Sequence, residues 1–269
     1  MIIQDLLLSA GIDRGEAATL LGHVLEVDRT WLYAHSEQIT SNASAERFEK
    51  LVQARKAGEP LPYLLGYRDF WSLRLSVNPN VLIPRRETEH LVEWAIECVD
   101  AGAQRILDLG TGSGAIALAC KAERPATEVW AVDSSPGALT CAAANGQSLG
   151  LDVEWVLSDW FAALPEGRWD LLISNPPYVA AGDEHLAQGD LRAEPSCALI
   201  GGPTGFECIE RIVEAAPDFL SNGGWLLLEH GFDQAPTVSA MMSSTGFDGV
   251  GTRQDWSGQA RLTGGQWWI

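Results

Sequence analysis

From Ile2 to about Ala57, apolar residues recur at helical spacing, as at Ile3, Leu6 and Leu7 and again at Ala18, Leu21 and Leu25. Each segment therefore carries one apolar face, and a small helical bundle is predicted. Gly11-Ile12-Asp13 and Ser41-Asn42 punctuate it with turn and capping residues. Glu59-Pro60-Leu61-Pro62 then breaks the pattern, because proline removes a backbone donor. FWSLRLSVNPNVLIP alternates around Asn78-Pro79-Asn80, which predicts a hairpin between two domains. The expected organisation is a helical domain over 1–75, a hairpin linker over 76–85 and a second domain over 86–269.

Beyond residue 85 strand-like and helix-like runs alternate: RILDL, AIALACKA, EVWAVD, PGALTCAAANGQSL, DVEWVLSD, WDLLIS, a long loop, FECIERIVEAAPDFL and GGWLLLEH. Alternation at this spacing predicts an α/β fold, a doubly wound and mostly parallel sheet with helices on both faces. Ligands of such sheets sit outside the carboxyl ends of the strands. The polar punctuation of interest falls at those ends.

Composition changes the picture in three ways. A hydrophobic content of 46% supports a globular core, while no apolar run reaches the roughly 18 to 20 residues of a membrane span. MIIQDLLLSA carries Asp5 and no basic flank, so an untargeted, cytoplasmic chain without a membrane partner is expected. Five scattered cysteines, none in a C-x-x-C pair, argue against disulfides and a metal site. The net charge of −18, with only three lysines, produces a field that repels polyanions and suits a basic protein partner.

Asp108-Leu109-Gly110-Thr111-Gly112-Ser113-Gly114 joins the first of these strands to its helix. Gly110, Gly112 and Ala115 satisfy a dinucleotide fingerprint, and Asp133 follows 23 residues beyond Gly110, near the spacing of a ribose-binding acid. A nicotinamide-dependent oxidoreductase is thus one reading. Asp108 speaks against it, since a carboxylate beside a pyrophosphate repels it, whereas S-adenosylmethionine carries a sulfonium and an ammonium. In that second reading Asp108 and the glycine loop face the cofactor, Asp133 takes the ribose hydroxyls, and Asp159 and Trp160 border the adenine.

Asn175-Pro176-Pro177-Tyr178 ends the fourth strand on the same edge. An amide or exocyclic amine nitrogen is a poor nucleophile because its lone pair is delocalised. Acceptors that hold both its hydrogens, with an aromatic ring against its plane, aim that nitrogen at a methyl sulfonium. Asn175 offers a side-chain oxygen, Pro176 a carbonyl and Tyr178 a ring, and the diproline stiffens the corner. An adenine or cytosine amino-methyltransferase on nucleic acid poses the same chemical problem and is the rival reading.

The residues resemble class I S-adenosylmethionine-dependent methyltransferases, and more narrowly the HemK-type protein-glutamine methyltransferases. DLGTGSG is similar to the family's D-x-G-x-G-x-G loop, and NPPY is shared. LIPRRETEHLV (82–92), EPSCALIGGPTGF (194–206) and PLPYLLGYRDF (60–70) resemble its accessory motifs, with Pro62 where the family usually has Gln and Arg86 where it has Pro. The resemblance implies a Rossmann-like sheet of seven strands preceded by a helical domain that helps hold a peptide chain release factor. It further implies cofactor contacts from the Gly110–Gly114 loop (with Thr111 and Ser113), Asp133, Trp160 and Asn175, and a glutamine site from Asn175, Pro176, Pro177 and Tyr178. The implied reaction methylates the glutamine of a G-G-Q motif, and a monomer that does not bind nucleic acid directly is expected. Gly264-Gly265-Gln266 in LTGGQWWI reads as a coincidental G-G-Q in a hairpin turn and final strand.

Overall fold

The N-terminal apolar pattern builds five helices, α1 (Ile3–Ser9), α2 (Arg14–Leu25), α3 (Arg29–Ala34), α4 (Asn42–Lys56) and α5 (Leu61–Leu65). Asp13 accepts from the amides of Gly15 and Glu16, Asp28 from Trp31 and Ser41 from Ser44. These caps supply partners that the first turns of α2, α3 and α4 otherwise lack. The apolar faces meet in a core of their own, with Leu6, Leu20, Leu21, Leu32 and Phe48 at its centre. The expected break at Glu59–Pro62 is instead the start of α5. Pro60 stands at the cap position and Pro62 in the first turn, where a missing N–H costs no hydrogen bond.

The structure, a computed structural model that describes residues 1–269, divides into two compact units. One comprises Met1–Tyr67 with Ala187–Ala193, the other Arg68–Leu186 with Glu194–Ile269. The hairpin lies earlier than the expected 76–85 and is made by β1 (Tyr67–Phe70) and β2 (Leu73–Ser76). It turns at Trp71, whose φ of 55° is left-handed. Asn78-Pro79-Asn80 closes a loop turn through Val81 N–H to Asn78 C=O at 3.1 Å, with no strand after it. Val77, Val81 and Ile83 are buried loop residues, and that burial imitates strand alternation in the sequence.

The larger unit continues with α6 (Glu89–Asp100), β3 (Arg105–Leu109), α7 (Ala115–Glu123), β4 (Glu128–Asp133), α8 (Pro136–Leu149), β5 (Glu154–Leu157) and β6 (Trp169–Ser174). A short pair, β7 (Val179–Ala180) and β8 (Ile200–Gly202), precedes α9 (Glu207–Phe219), β9 (Leu220–Glu229), α10 (Ala235–Thr245), β10 (Asp248–Gln254) and β11 (Ala260–Trp267). Seven strands form one sheet in the order β10-β11-β9-β6-β3-β4-β5, and β11 runs antiparallel to both its neighbours. The strands β3, β4, β5, β6 and β9 are parallel.

Side chains alternate across a strand. Ile106, Leu171, Ile173 and Leu227 therefore pack on the α6–α7 face, while Leu107, Leu109, Leu172 and Leu226 pack on the α9–α10 face. The fold is the α/β class expected from the sequence. The strand order reverses between β3 and β6, so a crevice opens above the carboxyl ends of those strands.

Candidate functional site

Four strand ends supply the crevice. Gly110 and Gly112 follow β3, Asp133 ends β4, Ser158, Asp159 and Trp160 follow β5, and Asn175 and Pro177 follow β6; all line one cavity of about 240 Å³. A single water needs only ~10–15 Å³, so the space is of ligand size. Val81, Leu82, Cys197, Ala198, Cys208 and Arg211 complete its lining.

The glycine loop turns with positive φ at Gly110 (75°), Gly112 (59°) and Gly114 (84°). A Cβ on Gly112 would meet nothing within 4 Å, so its bare backbone faces the cavity. A Cβ on Gly114 would press on Leu118 and Trp155 at 3.0 Å, which makes that glycine a packing residue at the start of α7. Thr111, Ser113 and Gly114 do not line the cavity. The loop is pinned from two sides: Asp133 Oδ2 accepts from the Gly112 amide at 2.9 Å, and Asn145 Nδ2 donates to the Ser113 carbonyl at 2.9 Å.

Asp108 departs from its expected place. The alternation of β3 turns its side chain away from the cavity and under the loop, where it is fully buried. Oδ2 accepts from the Thr111 hydroxyl at 2.6 Å and from the Ala117 amide at 3.3 Å, while Oδ1 has no partner. Burial, reinforced by the nearby Asp133, pushes its carboxyl up to about 7. It braces the loop rather than setting the charge of the ligand space.

That charge comes from other groups. Asp133 is half-buried, and burial raises its pKa against the amides of Ser135 and Gly112 that hold its charge. Asp159 pairs with Arg211 at 2.8 Å, which leaves Asp133 as the uncompensated ion of the cavity wall. Trp160 stands at φ 52°, and its ring would be the first contact, at 3.4 Å, of a Cβ on Gly110. Bare glycine backbone, one net acid and an indole wall fit a nucleoside-bearing cation and oppose a pyrophosphate.

At the end of β6, Ser174 donates to the Leu109 carbonyl at 2.6 Å and ties two strand ends together. Asn175 then faces the cavity, and its Nδ2 donates to Thr88 Oγ1 at 3.1 Å. Pro176 is buried. The Tyr178 carbonyl accepts from Gln234 Nε2 at 3.1 Å, and its hydroxyl donates to Glu229 Oε1 at 3.4 Å. The ring packs against the α9–α10 core and not into the cavity, and burial raises its hydroxyl pKa. The LIPRR and EPS segments meet here as well: Glu194, buried, pairs with Arg85 at 2.5 Å and accepts from the Ile83 amide at 3.2 Å.

Residues 90–191 match the methyltransferase small domain, and residues 3–66 match the PrmC N-terminal domain. A release factor glutamine methyltransferase of Xylella fastidiosa (strain 9a5c) is 46% identical over 95% of this chain and 94% of its own length. The chain belongs to the release factor glutamine methyltransferases. The Bordetella pertussis member is 44% identical over 98% of each chain. A methyltransferase from Pyrococcus furiosus matches at a TM-score of 0.54 with 19% identity, covering 74% of this chain and 91% of that one, which shows the shared fold.

In this family member, the residues that sequence reasoning missed are Thr88, Glu229 and Asn145. Glu229 and Asn145 sit in apolar runs, LLLEH and AAANG, where a buried polar residue signals a required partner. Thr88 lay inside a recognised motif without an assigned task.

Proposed function

We propose that the protein transfers a methyl group from S-adenosylmethionine to the side-chain amide nitrogen of the glutamine in the G-G-Q motif of peptide chain release factors. The observation that carries this reading is Asn175, an amide anchored on Thr88 at a strand end and turned toward an acidic, glycine-floored cavity, in a chain of this family.

Bound in that cavity, S-adenosylmethionine supplies an electrophilic methyl on a cationic sulfur. Gly110 and Gly112 would lie along the ligand, Asp133 would accept from its ribose hydroxyls, and Asp159 with Trp160 would border its base. Asn175 Oδ1 and the Pro176 carbonyl accept the two N–H bonds of the substrate amide, which orients its nitrogen and favours tetrahedral character. The diproline and the β7–β8 pairing, Val179 to Ile200, keep those acceptors fixed before substrate arrives. No general base is needed, because the methylated nitrogen is strongly acidic until it loses its proton to water.

The helical domain over 1–75 is the proposed recognition element for the release factor, and the acidic surface leaves nucleic acid outside the substrate range. The test is methyl transfer from radiolabelled donor to a purified release factor and to its Gln→Ala form. One methyl per factor, absent from the Gln→Ala form, is expected. Label in the adenine of DNA or RNA and none in the factor would replace this reading. Asn175→Ala should lower kcat by about 10²-fold or more at near-wild-type stability, since its task is orientation.

A further inference from the structure

Behind the Asn175 corner runs a buried polar chain that methyl transfer as described above does not use. Thr88 is 4% exposed and Glu229 1%. The Thr88 oxygen accepts from Asn175 Nδ2 at 3.1 Å, and the Tyr178 hydroxyl donates to Glu229 Oε1 at 3.4 Å. The Thr88 hydroxyl favours the charged form of the Glu229 carboxylate without closing a hydrogen bond to it. Glu229 Oε2 is buried without a hydrogen-bond partner, so the carboxylate keeps an open acceptor.

A threonine hydroxyl has one proton, and an ionised carboxylate only accepts. A Thr88 proton drawn toward the open acceptor of Glu229 leaves Thr88 able only to accept from Asn175. The Asn175 amide must then turn its NH2 toward Thr88 and its oxygen toward the cavity. Were the Thr88 proton free, the amide could turn over and present a donor to the substrate's own N–H bonds.

We propose that Thr88 and Glu229 are positioning residues that hold the Asn175 amide with its oxygen toward the acceptor nitrogen, an inference that rests on the glutamine-methylation reading. The other groups around Glu229 are Arg261 on β11, which favours its ionised form, and Glu87 ahead of α6 and the Tyr178 hydroxyl after β6. Glu87 opposes ionisation, the Tyr178 hydroxyl supports it, and burial is the largest influence, pushing the carboxyl up to about 7. Below that pH a protonated Glu229 can donate, and the direction of the chain is lost.

The test compares full-length wild type with T88S, T88V and E229Q, measuring methyl transfer to a release factor between about pH 5.5 and 8.5 and S-adenosylmethionine affinity by calorimetry. T88S should keep kcat within about threefold, and T88V should lose about 30- to 100-fold in kcat with cofactor Kd unchanged. E229Q, whose amide can donate to Thr88, should lower kcat and remove the fall in rate that wild type shows on acidification through pH 7. Wild-type kcat in T88V, equal damage in T88S and T88V, or an unchanged acid limb in E229Q would overturn the assignment. If wild type leaves the release factor unlabelled, the function reading fails by itself. The Asn175 side-chain amide, observed by nitrogen-15 NMR, then decides the orientation: slow hydrogen exchange in wild type and T88S with fast exchange in T88V supports it, and equal exchange in all three refutes it.

Discussion

Asp133 shows how one side chain serves both the loop and the ligand. Its two oxygens accept from the Gly112 and Ser135 amides, yet it remains on the cavity wall with lone pairs to spare. Asp133→Ala should weaken S-adenosylmethionine binding by about 1 to 3 kcal/mol in calorimetry. Asp133→Asn, which keeps an oxygen for Gly112, should fall between the two; a variant equal to wild type would move the ribose elsewhere. Asp108 gives a prediction on stability. Its carboxyl is raised from 3.8 to about 7 in the fold, so the folded chain binds the extra proton between those values and loses stability as pH rises through that window. Asp108→Asn lacks this slope. Denaturant unfolding should therefore show the variant gaining on wild type from pH 5 to pH 8, and a constant difference would mean that Asp108 titrates alike in both states. Gly110, Gly112, Asp133 and Asn175 could be placed on one cavity wall from the sequence because they lie in contiguous motifs or at a known spacing, whereas the inward turn of Asp108 and of the Tyr178 ring could not be read there. The partner of Asn175 was not legible either, since Thr88 is 87 residues away along the chain.

At the scale of elements, alternation of buried runs gave β3, β4, β5, β6 and β9 and the helices between them close to their observed ends. The helix α6 carries a helical stripe at Leu91, Val92, Ala95, Cys98 and Val99, but its start is masked in the sequence by a Thr88 cap position that makes no side-chain capping bond. The final G-G-Q shows the opposite error. Gly264 and Gly265 lie inside β11 and not in a turn, and a Cβ on Gly264 would collide with Leu227 and with Trp94, so the sheet needs glycine there for close packing. Gln266 Nε2 is spent on the Gly223 carbonyl at 3.2 Å, which gives this tripeptide a structural task. Gly201 on β8 is constrained in the same way, by the NPPY corner. A Cβ there would strike the Pro177 carbonyl and approach the Gly205 carbonyl at 2.8 Å. Backbone cannot give way as a side-chain tip does, so Gly201→Ala should cost about 1 to 3 kcal/mol in unfolding free energy. It should also lower kcat more than it changes cofactor Kd, because the displaced carbonyl belongs to the acceptor corner. Unaltered turnover with reduced stability would separate β8 from the chemistry.

The whole molecule is built on separate cores, one in the helical unit and two on the faces of the sheet. Helices α1 to α5 bury Leu20, Leu21 and Phe48 among themselves, and the sheet unit buries its own residues on both faces. No helix is long and apolar enough to cross a membrane, and the charge of −18 is spread over a chain with few lysines, so long-range attraction works for a basic partner and against a polyanion. Every residue of the proposed cofactor cavity lies in the larger unit. A chain beginning at Arg68 therefore retains Gly110, Gly112, Asp133, Trp160 and Asn175 together with the sheet that places them. It should bind S-adenosylmethionine with a Kd within about threefold of full length, because no first-contact group is removed. Its turnover on an intact release factor should fall by about 10²-fold or more, since binding energy from remote surfaces of the substrate is what places the reacting amide. Circular dichroism and cofactor-dependent thermal stabilisation establish beforehand that the shortened chain is folded and loaded. The salt dependence then identifies the lost interaction: full-length KM for the factor should rise with ionic strength as the acidic surface is screened, and the shortened chain should lose part of that dependence. Full turnover by the folded, shortened chain would remove the recognition role from residues 1–67 and assign substrate binding to the sheet unit.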